Sequence, residues 1–350
     1  MTKLFHHDKP IIGLDISQTG LRLMALDPKK WKVHGYGSLN LDPIKLQDSL
    51  SKGDDYLAKN LKTMFKKGIV GHLPSNQVAV SVPTSKTYSR TLNLPLDAER
   101  NINEAVRLEA DQYIPVPVDE LNIDYEIIER DKDGLSVLIS ATPKKIVENI
   151  VTSLEAADLE VVFAEPGVSS IARLLRHTED GSLPTIIVDI GAASTDIAIF
   201  NKTIRVSGGV AIGGNSLTIA IAKELNISLE EAHKIKVLDG LSTGPKRAKL
   251  EKAMEPSLAS ICEELKKMTR YYTDRLEMED KIEQIIMSGA GSNVPGMADY
   301  FTDKLETAVR VASPWQKLKF GRLPQPSKQN KPRFISATGL AFVTPEDVWR

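Results

Sequence analysis

One uncommon pattern occurs twice in this 350-residue chain: an apolar strand ending in Asp, a tight turn of small and hydroxyl residues, and a second apolar strand. The first copy runs from Ile11 to Leu23 around Asp15 and the second from Ile186 to Ile199 around Asp189. Each spacing predicts a β-hairpin whose turn offers backbone N–H and hydroxyl donors, with a carboxylate at its base. Two such hairpins facing one another would grip the phosphates of a nucleotide, while Asp15 and Asp189 hold Mg²⁺ through its waters. The candidate phosphate contacts are Ser17, Gln18, Thr19 and Arg22 in the first copy, and Gly191, Ala192, Ser194 and Thr195 in the second. An Asp followed by small residues also describes an ordinary hairpin turn, and it is the duplication that carries the reading further.

A chain this long exceeds one ordinary core and is expected to fold as two lobes or several subdomains. With 41% hydrophobic and 26% charged residues it has an ordinary globular composition, and a formal net charge of −1 gives no electrostatic reason to expect nucleic acid. The single cysteine, Cys262, excludes an internal disulfide and a multi-cysteine metal site, and it fits a reducing compartment. No stretch approaches the roughly 18 apolar residues of a membrane span, and Met1 to Pro10 lacks a signal-peptide core, so a cytoplasmic protein is expected. The His6-His7 pair is assigned no role. No Gly-Lys-Ser/Thr phosphate loop occurs, which excludes the commonest alternative ATPase design.

Along the chain, the first hairpin is expected to continue into a strand at Trp31–Gly37, a helix at Tyr56–Phe65 with Leu57, Leu61, Met64 and Phe65 on one face, and a strand at Gln77–Val82. Residues 84 to 163 then alternate strand, helix, strand, strand, helix, strand, and read as a compact α/β module inserted between the hairpin copies. After the second hairpin, Gly213, Gly214 and Asn215 open a helix over Ser216–Leu225 whose first N–H groups are expected to meet an anion. Charged helices follow over Leu229–Leu238 and Ala248 to about Leu276. A third element, Ile285 to Met297, is a buried strand entering a Gly-rich turn with Gly289, Ala290, Gly291 and Ser292, where the backbone could approach a flat base or ribose.

The order of hairpin, inserted module, second hairpin and Gly-rich turn resembles the actin/DnaK-chaperone/FtsA superfamily, and more narrowly the PilM family of type IV pilus assembly. The most specific match is Leu108 to Leu121, where a helix ends in Tyr113-Ile114-Pro115-Val116-Pro117-Val118-Asp119-Glu120, similar to the family's Tyr-Ile-Pro-x-Pro-x-x-Glu. The two prolines forbid helix continuation and hold the exit segment extended. The resemblance implies that Glu165 is a general base or water-orienting residue, although an acid before Pro166 can equally cap the next helix. It also implies Glu264 on the ribose hydroxyls and Lys267 on the base, against the alternative of an ordinary i,i+3 surface pair. Ile335 to Phe342 resembles the closing helix that returns to the first lobe. Ser17 stands where the family's turn glycine is usual, and Arg22 stands for its usual basic residue.

The fold class expected is therefore α/β: an actin-like ATPase fold of two lobes, each on a mixed β-sheet with helices, plus an inserted small α/β subdomain. The expected boundaries are 1–83 for the first-lobe core, 84–163 for the insert, 164–183 for a connecting helix and 184–228 for the second-lobe core. A helical subdomain at 229–281, a second-lobe segment with the adenosine turn at 282–333 and a return helix at 334–350 complete the division. The resemblance implies an ATP or ADP ligand with Mg²⁺ and a partner in the N-terminal cytoplasmic peptide of the inner-membrane protein PilN, and it leaves open whether a weak ATPase activity accompanies binding. Contact with pilus motor components and placement at the membrane only through a partner are further implications, while self-association as a homo-oligomer is left open. An equivalent role in type II secretion, an FtsA-like filament-forming adaptor and a sugar or acid kinase of the same superfamily are the alternatives.

Overall fold

The computed structural model describes residues 9–132, 134–179, 183–276 and 278–348, so the His6-His7 pair and the terminal Trp349 and Arg350 fall outside the described residues. The chain begins with strands β1 (Ile12–Ser17), β2 (Gly20–Asp27) and β3 (Lys32–Asn40), helices α1 (Pro43–Lys52) and α2 (Tyr56–Lys67), and strands β4 (Ile69–Gly71) and β5 (Gln77–Val82). It continues through β6 (Tyr88–Leu94), α3 (Ile102–Tyr113), β7 (Leu121–Arg130), β8 (Leu135–Pro143), α4 (Lys144–Glu155), β9 (Glu160–Pro166) and α5 (Gly167–Thr178). The second half holds β10 (Thr185–Ile190), β11 (Thr195–Asn201), β12 (Thr203–Val210), α6 (Gly214–Leu225), α7 (Leu229–Leu238) and α8 (Arg247–Asp274). The last elements are β13 (Gln284–Ser288), α9 (Met297–Leu305), β14 (Ala308–Val311), α10 (Ile335–Leu340) and α11 (Pro345–Val348).

Two mixed sheets result, ordered β4-β3-β2-β1-β5-β9 and β14-β13-β10-β11-β12-β6-β8-β7. The hairpins β1–β2 and β10–β11 occupy equivalent places: each is antiparallel within itself, and its first strand pairs in parallel with a later one, β5 or β13. Both first strands are buried along nearly their whole length, which explains their unbroken apolar sequence. Helices α5 and α10 lie between the sheets, and one core joins Met24 and Leu26 of the first sheet, Ile187 and Phe200 of the second, and Ile171, Leu175 and Ala337 of the two helices. On its other face the first sheet is covered by α1, α2 and α4, and the second by α6, α8 and α9.

Two close approaches depend on glycine. A Cβ on Gly339 of α10 would lie 1.8 Å from the Ser170 carbonyl oxygen of α5, and one on Gly13 of β1 would lie 2.0 Å from the Ala337 carbonyl oxygen. The closing helix is thus pressed backbone to backbone against both its neighbours.

Helix α1 was not anticipated, although its signals are in the chain. Asp42 accepts hydrogen bonds from the Ile44 and Lys45 amides, Pro43 opens the first turn, and Gly53 ends the helix at φ 79°. The segment 84–163 also departs from a single inserted body. Strands β6, β7 and β8 with α3 make their own small core around Leu94, Val106, Val137 and Ile139. Ile146, Ile150 and Leu154 of α4 instead join the first-lobe core, and β9 pairs with β5, because their apolar faces complete that sheet and its cover. The three-stranded remainder extends the second sheet through one antiparallel pair, Val206 with Arg90.

Replacing Gly339 by Ala should force α5 and α10 apart and cost about 1–3 kcal/mol. The expected outcome is a lower thermal midpoint, measured by calorimetry, than that of a Gly244→Ala control, whose added Cβ meets nothing within 4 Å.

Candidate functional site

The two hairpins meet. The Gln18 side-chain amide donates to Ser194 Oγ at 2.9 Å, joining the turn tips across the lobes. Behind the tips the carboxylates are held in the same way: Ser81 of β5 donates to Asp15 Oδ1 at 2.8 Å, and Ser288 of β13 donates to Asp189 Oδ1 at 2.7 Å. Ser336 of α10 adds a second donor to Asp15 Oδ1 at 2.9 Å, and itself shares a hydrogen bond with Ser170 of α5.

The register places Arg22 opposite Asp15 in the first hairpin and Asp196 opposite Asp189 in the second. The copies therefore carry opposite charges at one equivalent position. Burial pushes the Asp189 carboxyl up to about 6, with a further push from Asp15. Burial pushes Asp196 up to about 7, with Asp189 and Asp15 adding repulsion and a Thr84 hydrogen bond opposing it. The Asp15 carboxyl is also raised, chiefly by burial. On the other side Arg22, buried and facing Arg333, falls to about 10. Three acids that repel one another and two neighbouring arginines thus line one cleft of about 110 Å³, with Arg22 facing both Arg333 and Asp15. Among the described residues no three His, Cys, Asp or Glu side chains converge as direct metal ligands, so a cation here would rest on one or two carboxylates and waters, the habit of Mg²⁺.

Asp15, Ser17, Gln18, Thr19, Arg22, Asp189, Gly191, Ala192, Ser194, Gly289 and Ala290 line this cleft, together with Ser81, Thr84, Asp196, Arg333 and Ser336. Other expected residues stand behind it as supports. The Gly214 and Asn215 amides, expected to be open to an anion, donate to the carbonyls of Gly191 and Ala192, because the helix start packs directly under the second hairpin's turn. The Thr195 hydroxyl donates to the Ile212 carbonyl, and the Ser292 hydroxyl to the Gly289 carbonyl. Gly213 and Gly291 are likewise packed against the hairpin, where a Cβ would meet the Gly191 carbonyl oxygen at 2.7 Å and the Ile190 side chain at 2.2 Å respectively. Gly289 sits at φ +78°, and a Cβ there would meet the Ile190 carbonyl at 2.4 Å, so its glycine serves packing on the hairpin.

Three expected residues point elsewhere. Glu165 is bound to Arg173, whose Nη2 donates at 2.9 Å, and lies outside the cleft lining. Glu264 and Lys267 form the i,i+3 pair on α8 at 3.4 Å, with Glu264 near Gly208 and Lys267 largely exposed. Asp196 was missed, although it stands at the same offset from Asp189 as Arg22 does from Asp15, a signal that aligning the two copies provides. Lys236 of α7 was also missed. It is a buried ammonium donating to the Gly214 carbonyl and the Thr218 hydroxyl at 2.6 and 2.7 Å, its pKa lowered by burial to about 8.

A second and larger cavity, about 880 Å³, adjoins the first. Its walls come from α1 (Ile44, Leu46, Leu50), the inserted strands (Tyr88, Arg90, Leu92) and the end of α3 (Tyr113, Ile114). The Arg90 guanidinium is sandwiched there, 4.5 Å from the Tyr113 ring centroid and 4.8 Å from that of Tyr271, and its Nε donates to the Tyr271 hydroxyl at 2.6 Å.

The family model described as type IV pilus assembly protein PilM matches residues 13–344. The chain belongs to the PilM family. Over 304 residues it is 24% identical to the cell division protein FtsA of Bacillus subtilis, covering 76% of this chain and 67% of that one. Against FtsA of Neisseria meningitidis it is 24% identical over 194 residues, 53% of this chain and 43% of that one. A solved PilM-PilN type IV pilus biogenesis complex is similar at a TM-score of 0.78, 22% identity, and 95% and 97% coverage of the two chains. Ethanolamine utilization protein EutJ of Carboxydothermus hydrogenoformans follows at 0.57 and 16%, covering 95% and 89%. The fold is the actin-like ATPase fold, of α/β class with two mixed sheets. No described helix of this PilM-family chain is long and apolar enough to cross a membrane.

The paired acids predict a pH dependence. In an unfolded chain their carboxyls titrate near 4, and in the folded one Asp189 and Asp196 titrate at about 6 and 7. Between these values the folded state binds more protons, so their contribution to stability is present at low pH and is lost as pH rises to about 7. Asp196→Asn should therefore become more stable relative to the parent as pH increases from 5 to 8, measured by thermal midpoints without added nucleotide.

Proposed function

We propose that this protein is a nucleotide-responsive adaptor of the type IV pilus inner-membrane platform. It holds Mg-ATP or Mg-ADP in the cleft and the cytoplasmic N-terminal peptide of a PilN-type protein in the adjoining groove. One observation carries the reading: Ile16, Ser17, Gln18, Pro83, Thr84, Ser85, Ser194 and Asp196 line both cavities. A ligand in one therefore presses on the wall of the other, which is the physical requirement for a coupling free energy.

Support for the nucleotide comes from the three mutually repelling acids and the two neighbouring arginines. A Mg-polyphosphate brings a cation to the acids and an anion to the arginines, relieving both clusters at once. Asp15 and Asp189, fixed by serine donors, would hold the hydrated Mg²⁺, and the Ser17–Thr19 and Gly191–Ser194 turns would face the phosphates. MreB5 of Spiroplasma citri, solved with ADP, has the same fold at a TM-score of 0.52 and 16% identity, covering 88% of this chain and 93% of that one. Glu165, tied to Arg173, supports a held or switching nucleotide over rapid turnover.

The solved PilM-PilN complex supports the peptide. Here the groove is mostly apolar, the family segment contributes Tyr113 and Ile114 to it, and the buried hydroxyl of Ser207 on its wall has no hydrogen-bond partner among the described residues. A chain docked in this way stands at the inner face of the cytoplasmic membrane through its partner, within reach of the pilus motor.

Titrating the protein with a PilN N-terminal peptide should give saturable binding whose dissociation constant shifts when Mg-ATP is present; identical values in both states would remove the coupling. Asp189→Ala should weaken Mg-ATP roughly tenfold to a hundredfold while peptide binding without nucleotide is kept. An unchanged nucleotide affinity in the folded variant would remove the clamp.

A further inference from the structure

The segment leading into α10 brings a second arginine to the cleft. Arg333 is half-buried and lines it, and its one side-chain hydrogen bond among the described residues runs from Nη2 to Asn40 Oδ1 at 3.0 Å. Arg22 reaches the same oxygen with its own Nη2 at 2.8 Å. Two guanidiniums thus share a single neutral acceptor, and neither has a carboxylate within ion-pair distance among the described residues.

The two differ in what they have left to give. Nη1 of Arg22 is committed to the carbonyls of Leu21 and Leu39 at 2.6 and 3.1 Å, and its side chain is almost fully buried. It fastens β2 to β3 and acts as a fixed positive charge. Arg333 has spent one donor, and the rest of its five-donor fork remains at the cleft wall. Asn40 is placed to steady it there, since Asn40 pairs with Gly20, and the next amide, Leu41, donates to the Thr19 carbonyl of the first hairpin's turn. The same segment touches the Gly-rich turn of the second lobe, where the Asn293 side chain donates to the Gln329 carbonyl at 2.9 Å. Arg333 therefore stands beside the first phosphate turn on a strap that reaches the opposite lobe.

Bringing two like charges together costs free energy unless an anion joins them. We propose that Arg333 is a phosphate-binding residue of the nucleotide cleft, presented by the strap before α10, steadied by Asn40 and reinforced by the fixed charge of Arg22. This rests on the nucleotide reading and adds to it a contact from outside both hairpins. The ligand is a phosphate group of a nucleotide's polyphosphate tail, the species whose geometry and charge suit a guanidinium fork.

The test compares Mg-ATP and adenosine binding by isothermal titration for the parent, Arg333→Gln, Arg333→Lys and Asn40→Asp. Arg333→Gln should weaken Mg-ATP roughly tenfold to a hundredfold and leave adenosine unchanged, and Arg333→Lys, which keeps the charge and loses the fork, should recover part of the loss. Asn40→Asp, at an exposed position, should weaken Mg-ATP too by capturing the arginines with a carboxylate, so the idea remains testable if Arg333 variants misfold. Mg-ATP affinity that survives both Arg333→Gln and Asn40→Asp, equal losses for Mg-ATP and adenosine, or no recovery with Lys would each overturn the assignment. A parent that binds no Mg-ATP would instead sink the nucleotide reading on which it stands.

Discussion

Everything at the cleft depends on the crossing of α5 and α10 between the two sheets. Gly339 allows the backbones to touch, and from that contact a line of hydroxyls, Ser170 to Ser336, ends on the Asp15 carboxylate. A buried carboxylate is costly unless donors surround it, and the donors here come from the helix that closes the molecule and from the adjacent strand. The position of the first acid is therefore set by packing at the centre of the fold, some distance from the turn that made it conspicuous.

The second hairpin repeats the scaffold and changes the chemistry. Its Asp is held by a serine from the parallel neighbour, as in the first copy, yet the cross-strand partner is Asp196 where the first has Arg22. One exchanged position gives the first hairpin an acid facing a base and the second a pair of acids.

The hairpins, the Gly-rich turn, the long helices and the family were legible in the sequence because each is written locally, in periodicity, turn residues or a short motif. The roles of individual groups were less so. The Gly214 and Asn215 amides look open from their place at a helix start, but the chain that consumes them is the second hairpin's own turn, folded back on it. Glu165 stands beside a proline as an active-site acid would, and the Arg173 that captures it lies one helix further on. Asp196 and Arg333 carry weight only once strands are in register and the last segment has crossed the cleft, relations that no local window contains.

The inserted strands are held at two unlike ends. They continue the second sheet through the Val206–Arg90 pair, while the chain that leaves them becomes α4 and β9, embedded in the first lobe. Such an element behaves as a hinge pin fixed to both leaves of a door: turning one lobe against the other cannot leave it undisturbed. Strain would gather at the single backbone pair, and the apolar groove beside it would widen or narrow with the angle. A pull on any peptide seated there would in turn be felt as torque between the lobes, so a geometry able to report on an occupant would also let that occupant apply mechanical load.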